Sequence, residues 1–311
     1  MALTQRSTDY FLSKDHHTLS FSSDHKPALT INPGESVRVE TWDCYMGQVK
    51  SESDTTDKID HKLINGATGP IYVNGAQPGD TLSVSLLEIN PTGNGAAMLT
   101  PGQGQLHEFI TGARTRIMEV KEGLVYLTKE ISFPMRPMVG VIGVAPQEGE
   151  IGTIPAGQHG GNLDNNLNRA GSTLHLPIWH PGGLLGLGDM HASMGDGEIC
   201  GTGVEIGGEI VIRVDLLKQQ FSRWPVTETA DSWITHGTAE DDITLAMKYA
   251  CEEAAHILVQ QWGFTYDDAF FFLSTTGDLG VAQAVHPCPG TVVARMVVPK
   301  IPAAPQPYRK K

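Results

Sequence analysis

The chain has 311 residues, and its 35 acidic against 22 basic side chains give a formal net charge of −13. Such a surface repels phosphate backbones, which excludes nucleic acid as a partner, and no apolar run approaches the ~18 residues a membrane helix needs. Glycine and proline are abundant, at 35 and 19 residues, and that many turn formers suit a β-rich protein better than a helical one.

The N-terminal stretch MALTQRSTDYFLSKDHH is polar and lacks the apolar centre of a leader. SVRVETWD (36–43) alternates apolar and polar residues, and DTLSVSLLEI (80–89) follows the turn signal QPGD, so both read as strands. MVGVIGVAP (138–146) reads as a buried strand. In EIVIRVDL (209–216), Ile210, Ile212, Val214 and Leu216 share one face, and Glu209, Arg213 and Asp215 the other. A long amphipathic helix is expected from about Ala239 to Trp262, capped by Thr238, with Glu240, Asp241 and Asp242 in its first turn. Its apolar stripe is Ile243, Met247, Ala250, Ala254, Ile257 and Leu258, and Gly263 stops it. FTYDDAFFFLS is a helix or a strand, which periodicity leaves open, and VVARMVVPK (292–300) is a closing strand. The expectation is a mainly β protein with an α+β part: a β-rich domain over 1–146, then a C-terminal domain over 147–311 that carries the helix.

Four cysteines, Cys44, Cys200, Cys251 and Cys288, form no CxxC pair, which excludes zinc-finger spacing. They suit reduced thiols in a cytoplasmic protein. Histidines and carboxylates concentrate in two places. His159 and Asp164 lie in QHGGNLDNN (158–166), and Asp189, His191, Asp196 and Glu198 lie in GDMHASMGDGE (188–198). In an extended chain Asp189 and His191 point one way, as do Asp196 and Glu198. Gly188, Gly195 and Gly197 let the backbone turn tightly around a small ligand. A zinc ion takes histidine nitrogen and carboxylate oxygen and keeps one position for water. A carboxylate outside that set, for which Glu198 is the choice, takes the water's proton.

Taken singly, an aspartate before glycine is a turn residue, and a histidine is a structural hydrogen-bonding group; His16, His17, His25, His61 and His256 are read that way. The density of groups is what points to a metal or catalytic site. GTGVEIGG (201–208) fails as a dinucleotide fingerprint because Ile206 stands at the third glycine and a strand follows. GQGQLH (102–107) fails with His107 in that place, and there is no GxSxG elbow or P-loop. Cys288, beside His286 in HPCPG, reads as a turn residue between prolines, while Cys200 and Cys44 stand near enough to the candidate residues to line a pocket.

HGGNLDNN, GSTLHLPIW and GLGDMHASMGDGEICGTGVE, in that order, resemble the acetamidase/formamidase family, whose hallmarks are a GGN-x-D segment, a G-S-T-L-x-L-P segment and GD-x-HA-x-x-GDGE. INGATGPIYVNGAQPGDTLSV (64–84), ETWDCYMGQ and HPCPGTVVARMVVPK extend the likeness over most of the chain. The resemblance implies an amidohydrolase that converts small linear amides, formamide or acetamide, to ammonia and the carboxylate. It also implies a β-sandwich or barrel core with a smaller α+β part, a homo-oligomer (dimer or higher), and a divalent metal, zinc first and calcium second. Carried over residue by residue, Asp43, His159, Asp164, Asp189 and His191 are the expected metal ligands. Glu198 is then the proton carrier, and Asp196 the carboxylate that orients a ligand histidine.

Formamide and acetamide differ by one methyl, which a pocket separates by only ~1–3 kcal/mol; Trp179, Leu184 and Leu185 are sequence candidates for its wall. Two other readings stand beside this one. A thiol-dependent amidase using Cys200 or Cys288 needs a nearby lysine, and none lies between Lys129 and Lys218. A non-catalytic β protein that binds a metal or small ligand would tolerate loss of Glu198.

Overall fold

The structure, a computed structural model, describes residues 7–220, 222–287 and 291–309. Cys288, Lys310 and Lys311 lie outside the described residues. The protein is mainly β. A nine-stranded sheet runs, edge to edge, through Tyr10–Leu12, Ser36–Thr41, Gly208–Leu217, Thr81–Pro91, Thr173–Pro177, Val226–Glu228, Ser232–Glu240, Thr291–Pro299 and Asp278–Gln283. A second sheet of seven strands is centred on Gly160–Asn162, Met138–Gly143, Leu185–His191 and Ala67–Val73, in that spatial order.

The alternation read from the sequence explains how the two sheets meet. Val84, Leu86, Ile210, Ile212 and Val214 from the first sheet share one buried core with Ile71, Ile142, Leu185 and Leu187 from the second. Each such side chain contributes about 1.5–3 kcal/mol on burial, so this shared core fixes how the sheets face each other. Met138–Gly143 is buried along its whole length, as its unbroken apolar run requires.

Helix α1 spans Ile243–Trp262, and α2 spans Tyr266–Thr276. The expected start of the first helix is corrected by the sheet. Thr238 to Glu240 pair with Val293 to Thr291 as strand, Asp241 turns the chain with φ 53°, and Asp242 is the cap, accepting from the Leu245 amide at 2.9 Å. Backbone hydrogen bonds of the strand outweigh the local helix signal of the acidic run. Gly263 ends α1 in the left-handed region at φ 69°, as expected. FTYDDAFFFLS is helical, started by a reciprocal capping box between Thr265 and Asp268. Gly237 lets α1 lie directly on its strand, since a Cβ there would meet the Ala246 carbonyl oxygen at 2.2 Å.

The C-terminal segment is tied back through Glu228, which accepts from Lys300 at 2.7 Å and from Arg309 at 2.7 and 3.1 Å, and faces His175 at 3.1 Å. Although burial alone would raise it, hydrogen bonds from His175, Arg309 and Lys300 hold this carboxyl well below its ordinary value. A carboxyl depressed on folding stabilises the protein above its unfolded value of 4.5, and that contribution is lost as the pH falls below it. Glu228→Gln therefore melts lower than the parent at pH 7, by an equivalent of about 3 kcal/mol, and the gap narrows below pH 4.5. Thermal unfolding of both proteins at pH 7 and at pH ~2.5, well down the window between the unfolded and folded values, checks this; a gap independent of pH would rule out the charge as its source.

Candidate metal and catalytic site

The Leu185–His191 strand pairs antiparallel with Met138–Gly143, with Met138 opposite His191 and Val141 opposite Gly188. Between these pairs Gly140 and Asp189 lie level without pairing. A Cβ on Gly140 would stand 2.6 Å from both Asp164 Oδ1 and Asp189 Oδ2, so the bare strand backbone is the floor on which two carboxylates rest. Gly203 does the same under the imidazole of His191, where a Cβ would meet Nδ1 at 2.5 Å. His191 also bridges to Glu205, which itself bridges to Ala96.

These elements gather four buried carboxylates around one histidine. His191 Nε2 stands 3.1 Å from Glu205 Oε2, 3.5 Å from Asp189 Oδ1 and 4.0 Å from Glu198 Oε1. Ligand atoms of Asp164, His191 and Glu198 all lie within 4.8 Å of one another, and so do those of Cys44, Asp189 and Glu205. Three of the acids adopt the left-handed backbone that non-glycine residues avoid: Asp164 at φ 40°, Asp189 at 52° and Glu198 at 45°. Each costs on the order of 1 kcal/mol, and such residues cluster where function over-determines the backbone.

The donor set fits a cation. Both oxygens of Asp164, both ring nitrogens of His191 and Glu205 Oε2 are buried without a hydrogen-bond partner. An unpaired buried polar group costs about 1–3 kcal/mol, and a charged one more. Burial pushes Asp164 up to about 8 and Glu205 up to about 7, with Asp189 adding to both. Burial and Asp164 push Glu198 well above the usual carboxylate range. For His191 burial acts downward, but Glu205 and Asp189 outweigh it and hold the imidazole well above its ordinary value. One histidine does not balance four carboxylates, and a divalent ion with oxygen and nitrogen ligands would.

The expected residues are placed unequally. Asp164, Asp189, His191 and Glu198 come together. Asp43 stands beside them and caps a turn, accepting from the Tyr45 amide at 2.9 Å and the Gly47 amide at 3.1 Å. Burial raises its carboxyl, and Asp189 adds to the shift. His159 is buried elsewhere, edge-on to Phe21 at 5.3 Å between ring centroids, and burial alone takes it down to about 4. Asp196 does not point with Glu198. Gly197 at φ 87° and Glu198 at 45° break the extended geometry that would align them. Asp196 is exposed and pairs with Arg295 at 2.8 Å, while Glu198 turns inward.

Three contributors were missed. Glu205 ends the GLGDMHASMGDGEICGTGVE segment that carries the resemblance and lies in GTGVEIGG, yet received no role; a lone acid between Val204 and Ile206 was the available signal. Asn65 is buried, and in the amide orientation that satisfies both its ends it donates to Asp189 Oδ1 and Oδ2 at 3.3 and 3.1 Å. Gly140 carries no chemical signal of its own. Glu205 and Asp43 line a cavity of about 410 Å³ together with Trp42, Tyr45, Ala96 and Ile117. Lys14 and Lys50 also border it, and Lys14 is engaged with Glu40 at 3.1 Å. Trp179, Leu184 and Leu185 do not line this cavity; Leu185 belongs to the shared core.

The sequence matches the model of the Acetamidase/Formamidase family over residues 13–151 and 147–301. It is 27% identical to an acetamidase of Mycolicibacterium smegmatis, an alignment that covers 84% of this chain and 86% of that one. It is 26% identical to a formamidase of Methylophilus methylotrophus, with 79% of each chain covered. Its structure resembles the crystal structure of a predicted acetamidase/formamidase from Thermoanaerobacter tengcongensis, with a TM-score of 0.90 and 36% identity over 93% of this chain and 95% of that one.

Proposed function

Because the chain belongs to the acetamidase/formamidase family, we propose that it hydrolyses small linear amides, formamide or acetamide, to ammonia and the carboxylate with the help of a divalent ion, zinc by preference. The observation that carries the metal is the set of buried carboxylate and imidazole atoms that make no hydrogen bond, crowded at four acids to one histidine. Asp164, His191 and Glu198 would hold the ion, their ligand atoms sharing one small volume. Bound there, it supplies a Lewis acid that makes water a nucleophile near neutral pH.

The protein's own groups do the rest. Glu205 reaches both the cavity and the His191 ring, and its pKa near 7 suits a group that takes a proton from water and returns it to the leaving nitrogen. An amide anion is too poor a leaving group to depart without that proton. The Gly203 amide fixes Glu205 by donating to Oε1 at 2.8 Å, and Asn65 fixes Asp189. Assembly into a homo-oligomer belongs to the same proposal, and the exposed Phe270 and Phe271 of α2 give it an apolar face. Among the described residues no helix is long and apolar enough to cross a membrane.

Chelation abolishes ammonia release from formamide and acetamide, and added zinc restores it. Cysteine alkylation leaves the activity intact, because burial and the carboxylates of Asp189 and Glu205 push the Cys44 thiol well above its ordinary value and suppress the thiolate. Activity that survives chelation and disappears on alkylation would transfer the nucleophile to a cysteine.

A further inference from the structure

Arg295 lies in the Thr291–Pro299 strand of the nine-stranded sheet, outside the acid cluster, opposite His236. Its guanidinium spans two loops. Nη1 donates to Asn165 Oδ1 at 3.0 Å and to Asn166 Oδ1 at 3.2 Å, and Nη2 donates to Asp196 Oδ2 at 2.8 Å. Asn166 closes the ring, donating through Nδ2 to Asp196 Oδ1 at 2.7 Å. Asn165 is anchored from behind: its amide nitrogen lies 2.8 Å from His236 Nε2, and His236 Nδ1 lies 2.9 Å from the Pro225 carbonyl oxygen. Those contacts define a neutral histidine that accepts at Nε2 and donates from Nδ1, and burial, which takes His236 down to about 4, keeps it so.

The position of this network in the chain gives it a role. Asn165 directly follows Asp164, and Asp196 precedes Glu198 by two residues. Both acids hold left-handed backbone, and neither would keep that conformation without something that over-determines it. We propose that Arg295 is a positioning residue that staples the two loops together and so sets the separation of the Asp164 and Glu198 carboxylates; this rests on the metal reading above. A planar guanidinium is suited to it, because its fork reaches three oxygens in fixed directions, which a single ammonium does not. The side chain is 11% exposed, so the staple is sheltered from competing water.

The test reads zinc affinity, by competition with a chromophoric chelator, rather than turnover. Arg295→Ala weakens zinc about 10- to 100-fold, the usual effect of losing a group that orients metal ligands. Millimolar guanidinium restores most of the affinity in that variant and has no effect on the parent. Arg295→Lys stays weak, since charge without the fork does not hold both loops. Parent-like affinity in Arg295→Ala, with zinc bound by the parent, overturns the staple and leaves the metal reading standing. Failure of the parent to bind zinc overturns that reading and the staple with it. Should Arg295→Ala not fold, Asp196→Asn at its exposed position carries the test: weaker zinc supports the staple, and unchanged affinity overturns it.

Discussion

Replacing Glu205 by glutamine lowers kcat for formamide, read at saturating zinc, by about 10²- to 10⁴-fold, the range over which a positioned proton carrier acts. Glutamine is nearly isosteric here. Its carbonyl oxygen takes over the bond from the Gly203 amide now made by Oε1, so the 201–208 loop keeps its course. What disappears is the oxygen that faces His191 Nε2 at 3.1 Å and has no hydrogen-bond partner. Glu198→Gln behaves differently. Glu198 shares its volume with Asp164 and His191, so the variant loses zinc affinity and activity together. Ammonia release and zinc titration, run on both variants, separate the two roles. Glu205→Gln with parental kcat would remove Glu205 from proton transfer and return that task to Glu198.

The contrast between these two glutamates also shows how far the sequence could be read. Asp189 and His191 were legible as an i, i+2 pair and do meet at 3.5 Å, although Asp189 leaves extended geometry at φ 52°, so strand alternation names the pair without explaining how it meets. Asp164 and Glu198 were legible only as members of dense polar segments; their inward aim depends on left-handed backbone that local pattern does not announce. Asp196 illustrates the same failure in reverse, since the i, i+2 rule was applied across a turn where it does not hold. Glu205 reaches the cluster through bridges to His191 and Ala96, long-range pairings that depend on sheet order. The strands at 138–143, 208–217 and 291–299 were visible as apolar alternation or runs. The helix boundary was misread because strand pairing to Val293 and Thr291 competes with a strong local cap signal.

Gly140 is where fold and site meet most closely, and Gly140→Ala is expected to reduce activity to background. Its φ lies outside the left-handed region, so alanine meets no backbone penalty there. The added methyl meets Asp164 Oδ1 and Asp189 Oδ2 at 2.6 Å and the Asp189 carbonyl at 2.9 Å. The carbonyl belongs to the paired strand and does not yield cheaply, so the carboxylates must. Asp164 has little freedom to retreat, because its amide donates to the Gly140 carbonyl at 3.3 Å and the next residue is tied to His236 and Arg295. Overpacking of this kind costs about 1–3 kcal/mol of stability, which a core of this size absorbs, whereas displaced ligands lose metal affinity by about 100-fold or more. The signature is therefore a folded protein, slightly less stable, that neither holds zinc nor releases ammonia. A Gly140→Ala protein with normal zinc affinity and normal turnover would show that the two carboxylates are not seated on this strand, and would overturn the placing of the metal against Asp164.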